Sequence, residues 1–354
     1  LCNKKKQTIA FVPLFQQFIK QSAGGRRRTS SGKKITNGTI TGYRYALQLL
    51  LAYEKEHNLQ LRICLLHRAS LRLLKQEKNY WSRFFQSFLS FLFVKKGYAD
   101  NYVSTVLKII KTFFNYLQHD KGYVIGNFHK KFRIPVMHTT PVVLTPEQLQ
   151  FLITDKQFEN SLSIMLKKVK DIFVFGCTVG LRISDLMSLK KTNIITADDT
   201  VFLSVITKKT GAEVRIPLPD YIIEIIKRNK RKAGKYLLPR LSGTNLNIQI
   251  KQLIKAAGWN SVLPKYLSRN GKIIELKTEA GSSWPFYKHI TAHTMRRTAI
   301  TTMLIMGVPE QVVRKMSGHA AGSKEFYKYV NLAQDYMNKE LSKAYQKLVT
   351  MTKS

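Results

Sequence analysis

The chain has 354 residues, 59 of them Lys or Arg and only 21 Asp or Glu, which leaves a net charge of +38, and 44% of it is hydrophobic. That length and apolar content predict two globular domains with separate cores. The positive excess runs through the whole chain and not through one tail, so the expected partner is a polyanion, a nucleic acid enveloped by a surface whose binding weakens steeply with salt. A ribosomal or chromatin-type basic protein is disfavoured by the length and by the many large aromatics.

The most apolar run, Phe84 to Val94, is far shorter than a bilayer span and is interrupted by Gln86, Ser87 and Ser90, so it reads as a core helix. Cys2, Cys64 and Cys177 lack metal-ligand spacing, and their odd number suits a reducing, cytoplasmic compartment. The chain opens on Leu1 and not on Met, which leaves room for an arm-binding domain upstream.

In chain order, Phe11 to Ile19 has helical apolar spacing, and Gly24 to Gly32 forms a basic, helix-breaking loop. Arg26, Arg27, Arg28, Lys33 and Lys34 there are candidates for gripping phosphates, against the plainer reading of a solvated charge run. Helices are expected over Thr39 to Glu54, Asn79 to Lys95 and Asn101 to Leu117, making residues 1–132 an all-helical DNA-binding domain. Pro135, Pro141 and Pro146 punctuate a linker over 133–144. Thr145 as N-cap, Pro146 at the first helical position and Gln148 as partner of a capping box then open a second domain, 145–354.

In that domain Ser161 to Cys177 is helical, Gly180 ends it, and Ser184 and Asp185 are expected to open the next helix. The β-branched runs Val201 to Ile206 and Val214 to Leu218 flank Lys208, Lys209, Thr210, Gly211 and Ala212, the signature of a hairpin with a lysine-bearing tip. Helices follow at Tyr221 to Arg228 and Asn247 to Ala257, a polar hairpin or loop at Tyr266 to Thr278, and helices again from Thr294. The fold expected is mainly α with a small antiparallel β-sheet in the second domain.

Four strings in this domain carry chemistry: Gly180-Leu181-Arg182-Ile183-Ser184-Asp185-Leu186, Lys209-Thr210-Gly211, His293-Thr294-Met295-Arg296, and Gly318-His319 followed by Tyr329. Attack on a DNA phosphodiester builds negative charge on the non-bridging oxygens, which Arg182 and Arg296 suit as bidentate donors. Lys209 suits the general acid for the leaving 5′ oxygen, Lys208 being its fallback and a DNA contact, and Tyr329 suits the nucleophile. His293 and His319 are candidates for bonding the phosphate or assisting the tyrosine proton. Taken singly, each is more often a surface, capping or packing residue; their joint order in one domain of a basic chain is what raises them.

That ordered set resembles the tyrosine recombinase, or phage integrase, family over most of Thr145 to Leu348. The Gly-Leu-Arg string is similar to the family's first arginine box, with Asp185 at its bracing acidic position, and His-Thr-Met-Arg-Arg-Thr is similar to the second. The spacing from Lys209 to Pro217 fits the family hairpin. The family most often places its tyrosine nine residues after the histidine, where this chain has Lys328, flanked by Tyr327 and Tyr329; Phe326-x-x-Tyr329-Val330 favours Tyr329, with one extra residue near Ala321 or Gly322. The insert between Trp259 and His293 is similar to integrases of Bacteroidetes conjugative transposons.

The resemblance implies an integrase-type α+β catalytic domain and a helical domain closing as a C-shaped clamp on double-stranded DNA. It also implies strand cleavage and rejoining through a 3′-phosphotyrosine with neither metal nor ATP, and a homotetramer assembled through a C-terminal helix whose apolar stripe is Met337, Leu341, Ala344, Tyr345 and Leu348. An accessory DNA-bending protein would fit such an assembly. Two other readings stand beside it: a type IB-like topoisomerase, and a catalytically idle DNA-binding protein on the same fold.

Overall fold

The computed structural model describes residues 7–230, 233–320 and 322–351. Leu1, Cys2, Ala321 and the side chain of Leu348, all considered above, lie outside the described part. The fold is mainly helical with small antiparallel sheets, and the chain divides into two compact units.

The first unit runs to His138 and also takes in Tyr266–Leu276. It comprises β1 (Thr8–Ala10), α1 (Phe11–Ala23), α2 (Asn37–Glu56), β2 (Arg62–Cys64), α3 (Leu71–Ser90) and α4 (Asp100–His119). The two short strands, invisible in the sequence, pair antiparallel with Ile9 opposite Ile63. Helix α3 begins eight residues before the expected Asn79, because the Ser70 hydroxyl caps it by accepting from the Leu73 amide. In the added turn Glu77 faces inward, 1% exposed, and takes both outer nitrogens of Arg62 at 2.8 and 2.7 Å. The core is aromatic: Phe11, Phe15 and Phe18 of α1 meet Tyr43, Phe113 and Tyr116, and Trp81 meets Phe84 and Phe114 edge-on.

The second unit comprises Thr139–Lys265 and the chain from Lys277. Its helices are α5 (Pro146–Thr154), α6 (Lys156–Ser161), α7 (Ile164–Val179), α8 (Ile183–Leu186), α9 (Asp220–Asn229), α10 (Gly243–Ala256), α11 (Phe286–His289), α12 (Ala292–Ile305), α13 (Glu310–Ser317) and α14 (Lys324–Met351). The capping box that opens α5 is formed as expected, Thr145 and Gln148 each bonding the other's main-chain amide. The hairpin strands are β4 (Thr200–Ile206) and β5 (Glu213–Pro217), and β3 (Ile194–Ala197) adds a third strand to their sheet. Strands β6 (Val262–Leu263) and β9 (Trp284–Pro285) pair with each other.

Between β6 and β9 the chain makes the hairpin of β7 (Lys265–Arg269) and β8 (Lys272–Leu276), which packs in the first unit. Asp100, at the head of α4 and 3% exposed, receives the tip: the Ser268 hydroxyl and the main-chain amides of Asn270 (2.7 Å) and Gly271 (3.1 Å) all donate to its carboxylate.

Helices α7 and α12 form the centre of the second unit. Every residue of α7 from Val169 to Val179 is buried, so this helix is enclosed on all sides, its polar members Lys170, Asp171 and Thr178 included. Around its start an ionic cluster is closed by the buried Lys170 to Glu159 and the Leu152 carbonyl, and by the more exposed Arg228 to both Glu159 and Asp171. In α12 the polar members Thr294 and Thr298 are fully buried, and the Thr298 hydroxyl accepts from the Leu144 amide at 3.1 Å, which pins the segment leading into α5 to the core. The two helices approach closely at Gly176, where an added Cβ would lie 2.5 Å from Met295 Sδ and 3.0 Å from its Cβ. Among the described residues no helix is long and apolar enough to cross a membrane.

Gly176→Ala is therefore expected to lower stability by about 1–3 kcal/mol through overpacking, despite the higher helix propensity of alanine. Chemical denaturation of the two proteins side by side checks this, and an unchanged midpoint would mean that Met295 yields freely.

Candidate active site

Four chain segments of the second unit bring their ends together. Helix α7 stops at Gly180, whose φ of +63° lies in the left-handed region and whose amide returns to the Gly176 carbonyl. A Cβ at Gly180 would sit 3.2 Å from Ala299 Cβ, so the turn lies directly on α12. The chain then leaves extended through Arg182 (φ −65°, ψ 145°), and Arg182 itself occupies the N-cap of α8. Ser184 and Asp185 were expected there; instead Asp185 turns inward, 1% exposed, and accepts from the Lys208 amide at 3.1 Å. The first arginine box is thereby tied to the root of the lysine turn.

Helix α12 supplies His293 and Arg296 one turn apart. Arg296 is 3% exposed. One outer nitrogen donates to the Gly180 carbonyl (2.9 Å) and the Ser317 carbonyl (2.6 Å); the other lies 2.9 Å from Nε2 and 3.2 Å from Nδ1 of His319. Burial and the neighbouring charge of Arg182 push its pKa down to about 10, which keeps it a cation at neutral pH. Arg182 has its own outer nitrogen Nη1 buried without a hydrogen-bond partner. Two guanidiniums near enough for one charge to lower the basicity of the other, one of them with an unspent buried donor, suit an oxyanion as the partner that completes their polar balance.

His319 follows Gly318, the left-handed residue that ends α13. A Cβ on Gly318 would meet Thr207 Cγ2 at 3.2 Å, so this turn rests on the end of β4. Burial first, then Arg296, Arg182, Arg314 and His293, depress the His319 pKa to about 3, and the ring is neutral. His293 stands at the exposed rim, its pKa also lowered, by partial burial and by Arg297, Arg296 and Arg182.

The two candidate tyrosines point differently because residues two apart on a helix do not share a face. Tyr329 is 6% exposed, packed with Ile300, Leu304, Phe326 and Ala333, and its ring centre is 6.0 Å from that of His319. Tyr327 is 48% exposed and lies over Arg314. Lys209 is exposed on the turn between β4 and β5, one residue past the Lys208 amide held by Asp185, while the Lys208 ammonium donates to the Ser184 carbonyl at 3.1 Å. The pocket thus gathers Arg182, Asp185, His293, Arg296, His319 and Tyr329, with Lys209 on its neighbouring turn. Sequence reasoning missed Ser317 and the Gly180 carbonyl; the serine before Gly318-His319 was the available signal for the first.

In the first unit the basic loop is a closed turn. Arg28 and Lys34 bridge antiparallel, the Thr29 amide donates to the Lys33 carbonyl at 2.9 Å, and Arg28 donates to the Gly32 carbonyl at 3.0 Å. Arg26, Arg28, Lys33 and Lys34 are exposed on it. Arg27 is engaged inward: its guanidinium lies 4.3 Å from the centre of Phe18 and donates to Ser22 and Asp120, so it braces the loop.

Comparison with known proteins places the chain as follows. The chain is 28% identical over 178 residues to transposase B from transposon Tn554 of Staphylococcus aureus, a match covering 48% of this chain and 26% of that protein. It is 27% identical over 218 residues to a tyrosine recombinase of Thermosipho africanus, covering 61% of this chain and 67% of that one. The chain thus spans about a quarter of the transposase and two thirds of the recombinase. In fold it is similar to a lambda integrase dimer bound to a COC′ core site (TM-score 0.58, 14% identity, 91% of this chain and 77% of that one). It is likewise similar to the Tn1549 transposon integrase in complex with transposon right end DNA (TM-score 0.57, 14% identity, 95% and 99%). Residues 143–335, more than half of the chain and including every residue of the pocket, match the phage integrase family, and the protein belongs to that family.

Proposed function

We propose that this protein is a site-specific DNA recombinase that cleaves and rejoins strands through a covalent 3′-phosphotyrosine. The observation that carries the reading is the pair of guanidiniums, Arg296 locked by two carbonyls and Arg182 with a buried unspent donor, beside the neutral His319 and the sheltered Tyr329. In the scheme, the two arginines hold the non-bridging oxygens of one DNA phosphate as negative charge grows on them. The Tyr329 oxygen attacks phosphorus and the bond to the 5′ oxygen breaks. Lys209 gives that oxygen its proton, and the tyrosine proton passes to His293 or solvent. The phosphotyrosyl ester keeps the energy of the broken bond, so a 5′ hydroxyl from another strand reverses the step without ATP. Asp185 orients the turn through the Lys208 amide.

Around this centre, Arg26, Arg28, Lys33, Lys34 and Lys208 would contact DNA phosphates. The first half of α14 packs on its own unit, Met337 included, whereas Leu341 and Tyr345 are 52% and 63% exposed. That exposed end suits docking on another protomer in a tetramer, and the tetramer of lambda integrase on a Holliday junction is a precedent for the assembly. The likeness to transposases and to a transposon integrase favours integration or transposition of a mobile element. The hairpin insert of β7 and β8 supports the narrower placement among conjugative-transposon integrases.

Two substitutions test the chemistry. On a nicked suicide duplex carrying a site selected for binding, Tyr329→Phe is expected to abolish the covalent protein–DNA adduct with binding nearly intact, and Tyr327→Phe to leave the adduct in place; the reverse pattern would move the nucleophile to Tyr327. Lys209→Ala is expected to slow cleavage by about 10²–10⁴-fold. Replacing the 5′ bridging oxygen with sulfur, which leaves without a proton, should restore the rate; a defect that persists with sulfur would show that Lys209 is not the acid.

A further inference from the structure

Thr207 stands at the neck of the lysine turn, between Ile206, the last residue of β4, and the exposed Lys208, Lys209, Thr210 and Gly211. Ile206 is 70% exposed, whereas Thr207 is 2% exposed. Its main chain closes the turn: the amide donates to the Ala212 carbonyl at 2.9 Å, and the carbonyl accepts from the Gly211 amide at 2.8 Å. Its hydroxyl oxygen accepts from the Ala212 amide at 3.2 Å and lies 3.2 Å from the Ala212 carbonyl and 2.7 Å from the Thr210 hydroxyl. A threonine that bonds its own turn is common and calls for no functional account by itself. Its burial and the residue it carries call for one.

The cover over Thr207 is the Gly318 turn. A Cβ on Gly318 would lie 3.2 Å from Thr207 Cγ2 and 3.8 Å from the hydroxyl oxygen, so the turn that presents His319 and the turn that presents Lys209 are packed on each other through this one side chain. Sheltered there, the hydroxyl keeps its bonds within the turn instead of exchanging them with water. The turn is tied a second time at Lys208, whose amide donates to the buried Asp185 at 3.1 Å. Lys209 is therefore flanked by fixed backbone, at Lys208 before it and at Thr210 and Ala212 after it. With the Lys209 side chain exposed and flexible, its reach is set by the backbone at its root.

We infer that Thr207 is a positioning residue for the general acid, its buried hydroxyl holding the turn over 207–212 closed against the Gly318 turn so that Lys209 is aimed before DNA arrives. The inference rests on the reading of Lys209 as the proton donor. As the bond from phosphorus to the 5′ oxygen breaks, Lys209 Nζ passes its proton to that oxygen. A turn that opens lowers the fraction of molecules with the ammonium in reach, and leaves the arginines and Tyr329 as they were.

The test measures covalent adduct formation on the nicked duplex with oxygen or sulfur at the 5′ bridging position, with Lys209→Ala as the reference. Thr207→Val, which keeps the shape and removes the hydroxyl, is expected to slow cleavage at oxygen about ten- to a hundredfold, as a small misplacement of a working group does, to cleave at sulfur at the wild-type rate and to bind DNA as before. Thr207→Ser keeps the hydroxyl and is expected to retain the oxygen rate. Thr210→Val removes an exposed partner of the same hydroxyl without entering the core and is expected to show the same preference for sulfur, which keeps the test decisive if valine is not tolerated at 207. Either valine variant that binds DNA yet is slowed equally at both atoms, or is not slowed at oxygen, would overturn the inference, as would Thr207→Ser as slow as Thr207→Val. Lys209→Ala slowed equally at both atoms, or a wild type that forms no adduct, would instead overturn the reading of the site, and the inference with it.

Discussion

A buried guanidinium is the constraint around which the second unit is arranged. Taking the Arg296 charge out of water is costly unless every donor finds an acceptor, and the acceptors come from far along the chain: the Gly180 carbonyl at the end of α7, the Ser317 carbonyl at the end of α13 and the His319 ring. Each is a helix end, where main-chain carbonyls lack partners within their own helix. Satisfying one arginine therefore fixes the termini of two helices against α12, and both termini are left-handed glycines, Gly180 and Gly318, whose missing Cβ atoms let the turns close on Ala299 and Thr207.

The same arrangement accounts for the electrostatics. Arg182 and Arg296 repel one another, burial and the charges of both depress the basicity of His319, and His293 is made less basic at the rim. Asp185 is the carboxylate turned into this region, and it accepts the Lys208 amide with one oxygen while the other has no hydrogen-bond partner. Such a pocket holds a surplus of positive charge in a sheltered space, the condition under which an incoming anion is bound tightly and preorganised donors act without having to reorient.

Much of this was readable in the sequence where the determining chemistry is local. The capping box of Thr145 and Gln148, the stop at Gly180 and the lysine-bearing hairpin each depend on a few adjacent residues, and each forms. What escaped depends on partners far away. Strands β1 and β2 are three residues each and exist because Thr8–Ala10 meets Arg62–Cys64. Helix α8 has Arg182 and not Ser184 at its N-cap, and Asp185 is drawn to an amide 23 residues on. Arg27 sits in a run of three identical residues, and only the aromatic faces of Phe18 and Tyr116 single it out from its exposed neighbours. Ser317 looked like filler before a Gly-His pair, because its value lies in a carbonyl that every residue possesses and in a contact with a ring that sequence does not orient.

The hairpin seated on Asp100 has a consequence for how the molecule can be taken apart. Its eleven residues, Tyr266–Leu276, are encoded in the middle of the second unit yet belong to the first, so the chain passes from one unit to the other three times. Cutting the chain between His138 and Thr139 would not yield two self-sufficient halves: the C-terminal fragment would carry a strand pair deprived of its anchoring carboxylate, and the N-terminal fragment a buried aspartate deprived of the three donors that neutralise its isolation. Genetic shuffling of such domains between relatives has to move residue 100 and the 266–276 segment as one inheritance, although 165 positions lie between them in the gene.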